Sequence, residues 1–306
     1  MLAGLYAFNA NFLLDLNITE ARISRTNEQM SSGYRVNSAS DAPTDIASIL
    51  NYQNQVSQVT QVQTNLNLAS TNGSVADNAL SSASTLLNQL TSIAAQGASS
   101  TSTAATRATL GQQVQGIAQQ LVNLANTSVQ GQFIFGGDDP ATQPYTFNWS
   151  VTGGATQNNI ASNTNTIQDI NGQTAIPRMT AQQIFGAQNA DGTPATGNIF
   201  QAVYSLGQAL QANDQVGIQA ATDSLKAAST QLGQATTFYG NVANWIDNAS
   251  AAATSSLISI RGEVSNLRDT DVAAAATDLT TEQAAMQAAI AAHGSVNVKT
   301  LFDYMG

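Results

Sequence analysis

The chain has 306 residues, of which 42% are apolar and only 9% charged, with 9 Lys and Arg against 19 Asp and Glu, a net charge of −10 and no cysteine. With Lys226 and Lys299 as its only lysines, it has no basic stripe for a nucleic-acid backbone or an anionic bilayer surface. No apolar run approaches the roughly 18 residues that cross a bilayer, and the lack of cysteine removes disulfides, thiolate metal sites and cysteine nucleophiles. Residues 1–16 have no basic start and include Asn9, Asn11 and Asp15, a poor match to a cleaved signal peptide. Charged content lies far below the roughly 25% of typical domains, so Ser, Thr, Asn and Gln cover the surface. Copies with such a surface can pack side by side with little like-charge repulsion.

Residues 5–30 alternate apolar positions at helical spacing, with Leu5, Phe12, Leu16, Ile23 and Met30 interrupted by Asn9, Thr19 and Thr26. The seam is weak, because half of one of its two rows is threonine. Ser31-Ser32-Gly33 ends the helix, and Ser40-Asp41-Ala42-Pro43 places a cap and a proline before the next, predicted from about Thr44 to Gln96. Its seam runs through Val59, Val62, Leu66, Ala69, Gly73, Ala76, Leu80, Ala83, Leu87, Leu90 and Ala94 without a charged or polar side chain. A turn at 97–103 leads to a third helix with Leu110, Val114, Ile117, Leu121 and Leu124 on one face.

Helical periodicity stops at Gly131. Gln132 to Phe135 reads as an aromatic strand closed by Gly136-Gly137, and four of the five prolines fall between 138 and 197. Helix resumes near Asn198 with Ile199, Val203, Leu206 and Leu210. The longest seam follows: Leu225, Ala228, Leu232, Ala235, Tyr239, Val242, Ile246, Ala249, Ala253, Ser256, Ile260, Glu263 and Leu267. At 1.5 Å per residue that helix is roughly 65 Å long, and its alternating three- and four-residue steps require a partner of equal length. A last helix places Val272, Ala276, Leu279, Gln283, Met286, Ile290 and His293 on one stripe, ahead of a tail with Leu301 and Phe302.

No catalytic constellation emerges. His293, the sole histidine, sits on an apolar stripe as a packing or capping residue. Asp269 and Asp271 flank Arg268 at a helix start, where a cap and an ion pair account for them. The glycines at 131, 136 and 137 precede Asp138-Asp139, which repel phosphate, and Asn189-Ala190-Asp191-Gly192 lacks the remaining ligands of a calcium loop. No enzyme activity, cofactor or metal is therefore expected.

Met30 to Asp41, reading MSSGYRVNSASD, resembles the N-terminal motif of bacterial flagellins, and Ile260-Arg261 with Leu267-Arg268-Asp269-Thr270-Asp271-Val272-Ala273 resembles their C-terminal region. Gly131 to Gly137, Asn198-Ile199-Phe200 and Leu301-Phe302-Asp303-Tyr304 are similar to motifs of the hook–filament junction branch of that superfamily, hook-associated protein 3. Ser40-Asp41-Ala42-Pro43 departs from that branch, which has a second Asp at position 42, and the segment before it is closer to flagellin.

The resemblance implies a mainly α fold: an elongated rod of long antiparallel coiled-coil helices from both chain ends, with a small irregular or β-rich domain inserted at its far tip. Expected domains are an N-terminal assembly helix (1–43), an N-terminal arm (44–137), the insert (138–197), a C-terminal arm (198–271) and a C-terminal assembly helix (272–306). Leu5, Phe12, Leu16, Ile23, Met30, Val272, Leu279, Met286, Ile290, Leu301 and Phe302 are the expected inter-subunit residues. Val59, Val62, Leu66, Leu80, Leu87, Leu90, Leu225, Leu232, Tyr239, Val242, Ile246, Ile260 and Leu267 are the expected rod core.

The implied role is a structural flagellar subunit, extracellular and secreted without a cleaved signal peptide, at the hook–filament junction or, alternatively, in the filament as flagellin. Its implied partners are copies of itself in a helical tube, other axial proteins (hook-associated proteins and flagellin) and an export chaperone, with neither nucleic acid nor membrane insertion. A secreted rod-like adhesin acting through the insert is a third reading, although no titratable cluster marks a pocket there. A cytosolic coiled-coil scaffold is a fourth, opposed by the low charge.

Overall fold

The computed structural model describes the backbone of residues 2–295 and the side chains of residues 8–294. Leu301, Phe302 and the motif ending at Tyr304 lie outside the described residues, as does the side chain of Leu5. The fold is mainly α, with long helices from the two chain ends and short strands between them. In order these are α1 (Leu2–Ser32), α2 (Ile46–Ala98), α3 (Ala104–Ala125), β1 (Ser128–Val129), β2 (Gln132–Phe133), β3 (Tyr145–Phe147), β4 (Ala155–Gln157), β5 (Ile167–Gln168), β6 (Thr174–Ala175), α4 (Ala181–Phe185), α5 (Ile199–Gln211), α6 (Gln215–Arg268) and α7 (Val272–Ser295). The strands pair as three antiparallel hairpins. Two compact units divide the chain: Val59–Ser255 forms one, and Met1–Gln58 with Ser256–Gly306 the other.

Within Val59–Ser255, α2 and α6 run antiparallel. Gln63 donates to Thr254 at 2.9 Å, and Leu66 and Ala69 bury against Val242, Ile246 and Ala249. The predicted α2 seam is in place: Val59, Leu66, Ala69, Ala76, Leu80, Ala83, Leu87, Leu90 and Ala94 are buried, with Val62 half-buried. On α6 the seam from Leu225 to Ala253 is buried as expected. Past Ala253 it departs. Leu257 and Val264 are the buried positions, Ile260 and Leu267 are half-buried, and Glu263 is exposed. The cause is the step from Ala249 to Ala253 to Leu257, two four-residue intervals in succession, which rotates the stripe away from a strict heptad.

Helix α3 packs on α5, and Arg107 ties the turns at their ends together. Its buried guanidinium donates to the carbonyls of Gly97 (2.7 Å) and Ser99 (3.1 Å) and to Asn213 Oδ1 (2.5 Å). The approach of α2 to α5 is close at Gly97, where a Cβ would overlap the Leu210 side chain.

The segment between the arms differs from expectation in two ways. First, the glycine turn precedes the aromatic strand: Gln130 and Gly131 have φ of 53° and 79°, the pair of positive values that a two-residue hairpin turn between β1 and β2 requires. Only Gln132 and Phe133 are extended, and Ile134 and Phe135 turn into the core. Second, residues 138–197, expected as an insert at the far tip, contribute to the helical core: Tyr145, Ile184 and Phe185 are fully buried in the same cluster as Leu80, Leu206 and Leu232. Tyr145 donates to the Gly186 carbonyl at 2.6 Å, and the Met179 N–H donates to the Tyr239 hydroxyl on α6 at 3.1 Å. Asn198 caps α5 by accepting from Gln201 N–H, while its amide donates to the carbonyls of Gly186 and Ala187. The Asn198-Ile199-Phe200 motif therefore joins the segment to the helices.

Helix α2 begins at Ile46, two residues later than expected. Asp41 is spent on the loop instead, accepting from the Asn37 and Ser38 N–H groups and from the Ser38 hydroxyl. Asn189 to Gly192 forms a plain turn, in which Asp191 accepts from Thr193.

Candidate assembly surface

In the unit built from the chain ends, α1 and α7 pair antiparallel. Phe12, Leu16, Thr19, Ile23, Thr26 and Met30 form the partly or fully buried row of α1, as the spacing predicts. Thr26 donates to Glu282 on α7 at 3.2 Å. His293 stacks on Phe12 with ring centroids 3.9 Å apart and lies 5.5 Å from Phe8, so it is a packed histidine. The row on α7 is rotated from the predicted one. Ala275 is buried, and Ala276, Leu279, Glu282, Met286 and His293 are half-buried, whereas Val272 and Ile290 are exposed. Alanines at 273–276 and 284–285 give this helix no unique apolar face, so packing rather than sequence sets its rotation.

Of the residues singled out for assembly and described here, Phe12, Leu16, Ile23, Met30, Leu279 and Met286 thus face the α1–α7 seam. Val272 and Ile290, also singled out, are exposed, and so are residues on α1 that the heptad reading passed over. Leu13, Leu14 and Ile18 are 56%, 59% and 44% exposed. At 100° per residue, Leu14 and Ile18 fall together on the side of α1 opposite Phe12, Leu16 and Ile23. These large apolar side chains, one turn apart and pointing away from α7, form an exposed stripe on α1.

The two flagellin-like motifs, more than 220 residues apart in sequence, meet at one junction. Tyr34 bridges Asp269, the Arg35 and Val36 N–H groups donate to the Arg268 carbonyl (2.7 and 3.2 Å), and the Thr270 N–H donates to the Gly33 carbonyl (3.0 Å). The Arg268 guanidinium lies 4.0 Å from the centre of the Tyr34 ring. Arg35 donates to Asp45 (2.9 Å) and to the Leu267 carbonyl (2.6 Å), while Val36, Ala42, Ile49 and Leu267 form a small core beneath. Asp271 caps α7 by accepting from the Ala273 and Ala274 N–H groups, and Asp269 pairs with Arg268 at 3.0 Å. A hydrogen bond from Ser265, followed by the Arg268 contact, holds the Asp269 carboxyl below its ordinary value of 3.8. Bonds from the Ser38 backbone and hydroxyl do the same for Asp41. The side chains considered for chemistry are all engaged in packing, caps or turns. Among the described residues, no group of His, Asp and Glu could hold a metal ion and no helix is long and apolar enough to cross a membrane.

Residues 6–139 match the sequence profile of the bacterial flagellin N-terminal helical region. Over those residues, the first arm of this chain is similar to a flagellin N-terminal helical region. A structure described as a flagellar hook-associated protein of Vibrio parahaemolyticus superposes with a TM-score of 0.65 at 21% identity, covering 75% of this chain and all of that one. Flagellar hook-associated protein 3 of Legionella pneumophila gives 0.61 at 16% identity over 72% of this chain and 98% of that one. The flagellar junction protein of the same organism gives 0.53 at 15% over 66% of this chain and all of that one. No curated protein sequence matches the chain. At these identities the superpositions establish a shared fold, and the profile match places the flagellin motif at Met30–Asp41 inside its own range.

Proposed function

We propose that the chain is a structural subunit of the bacterial flagellum, extracellular and non-enzymatic, that acts at the junction between hook and filament. The observation that carries this reading is the Leu14–Ile18 stripe, turned away from α7 on a helix whose other face is already paired. Copies of the chain bury that stripe against one another in a tube. The terminal residues on the inner seam, from Phe12 to Met30 and from Leu279 to Met286, hold each pair together, and the Tyr34–Asp269 junction fixes where the pair begins. Hook-associated proteins and flagellin are the neighbours along the axis, and an export chaperone covers the apolar ends before assembly. The resemblance to junction and hook-associated structures supports the hook–filament position.

A second reading, filament flagellin, is favoured by the profile match over 6–139 and by Ser40-Asp41-Ala42-Pro43. Immunogold labelling of intact flagella separates the two. A narrow band at the end of the hook, with flagellin lost to the medium when the chain is deleted, is the expected result. Recovery of this chain as the bulk protein of sheared filaments would contradict the junction assignment.

A further inference from the structure

We infer that the cleft between α2, α6 and the residues 165–178 beside them binds a small hydroxylated carboxylate, the chemistry of an acidic sugar. The cleft has a volume of 320 Å³, inside the roughly 300–1,000 Å³ range of ligand sites. Residues that carry hydrogen-bond donors line it. Arg178 lines the cleft and has no ion-pair partner among the described residues. The Tyr239 hydroxyl accepts from the Met179 N–H and retains its own proton to donate; burial pushes its pKa up to about 12. Asn65 uses its carbonyl oxygen to accept from Gln61 at 3.0 Å, which leaves its NH₂ free, and Asn72 has no side-chain partner among the described residues.

No carboxylate lines this cleft, although Asp and Glu outnumber Lys and Arg by two to one in the chain. Asp138, which accepts from the wall residue Asn165 at 3.1 Å, is occupied as well by the N–H and hydroxyl of Thr164. A planar guanidinium next to a phenol and amide NH₂ groups suits a carboxylate flanked by hydroxyls. The exposed face of Leu68, with Pro177, offers an apolar wall for the C–H side of a ring.

The test titrates the full chain with glucuronate, glucose and acetate, read by calorimetry or saturation-transfer NMR. Saturable glucuronate binding is expected, with glucose and acetate each weaker by about tenfold or more. Arg178→Gln and the near-isosteric Asn72→Asp, which puts a charge of the wrong sign in the cleft, should each weaken glucuronate by about tenfold while helical circular dichroism stays unchanged. An oligoglucuronate that binds at least as tightly as the monosaccharide assigns the site to a polymer, and a weaker one assigns it to the free sugar. Absence of saturable glucuronate binding overturns the inference, as does binding that survives in both variants. Glucose binding as tightly as glucuronate shows that the carboxylate is not read. Acetate doing so shows that the hydroxyls are not read, and a carboxylate side chain of another protein then fits better than a sugar.

Discussion

Two glycines on α2 have the same residue type and opposite predicted effects. At Gly97 an added methyl meets Leu210 on α5, so Gly97→Ala overpacks a closed helix contact and should cost about 1–3 kcal/mol. At Gly73 nothing lies within 4 Å, and Gly73→Ala should stabilise the free chain by up to about 1 kcal/mol through helix propensity. Urea midpoints moving in opposite directions check the pair. Arg107 is a larger lever, because its removal strands the buried Gly97 carbonyl and loses the part-buried contacts to the Ser99 carbonyl and Asn213. Arg107→Ala should lower stability by about 2–4 kcal/mol, with Arg107→Lys recovering only part of it, measured by the same unfolding curves. None of this was legible in the sequence: Arg107 sits within a helix whose apolar face is complete without it, and only the fold brings Asn213 to it.

The same scale sets an acid dependence. Asp269 is held below its ordinary value of 3.8 by Ser265 and Arg268, so its stabilising contacts are fully present above that value and are lost as pH falls through the lower folded one. Asp269→Asn should therefore melt at lower temperature than the parent at neutral pH, and the gap should close in acid. A gap that stays constant across the titration would show that the charge of Asp269 contributes nothing.

At the scale of elements, the sequence exposed what repeats and hid what does not. The α2 seam and the α6 seam to Ala253 were readable because apolar residues recur over many turns with no charge among them. Two successive four-residue steps moved the end of α6, and runs of alanine left the rotation of α7 undetermined. The segment 138–197 was legible as an irregular, β-rich region but its part in the core was not: strands of two or three residues and the five-residue α4 carry too little periodicity to mark Tyr145 and Phe185 as buried. Replacing 141–195 by a short Gly-Ser linker removes Tyr145, Ile184 and Phe185 from the core. At roughly 1.5–3 kcal/mol each, that loss of about 5 kcal/mol or more is comparable with the whole stability of many domains. The variant should unfold at markedly lower denaturant, whereas a few residues inserted at the exposed 190–192 turn should leave the midpoint unchanged.

At the scale of the whole molecule, the strong seams lie between α2 and α6 and the weak one between α1 and α7. The weak seam has a buried threonine and a stacked histidine in place of leucines, and large apolar side chains are left facing outward. Isolated helices with so little packing are marginal, so the proposed assembly predicts that neighbouring copies stabilise the ends. Glutamine at Leu14 and Ile18 tests this most directly, because both side chains are exposed in the single chain and each is worth roughly 1.5–3 kcal/mol if buried between copies. The deciding measurement is the fraction of Leu14→Gln/Ile18→Gln protein retained on isolated hook–filament preparations, set against the fraction free in the medium. Retention should fall by tenfold or more, at about 1.4 kcal/mol per tenfold, with the melting curve of the free chain unchanged; retention at the parental level would contradict assembly through the outer face of α1.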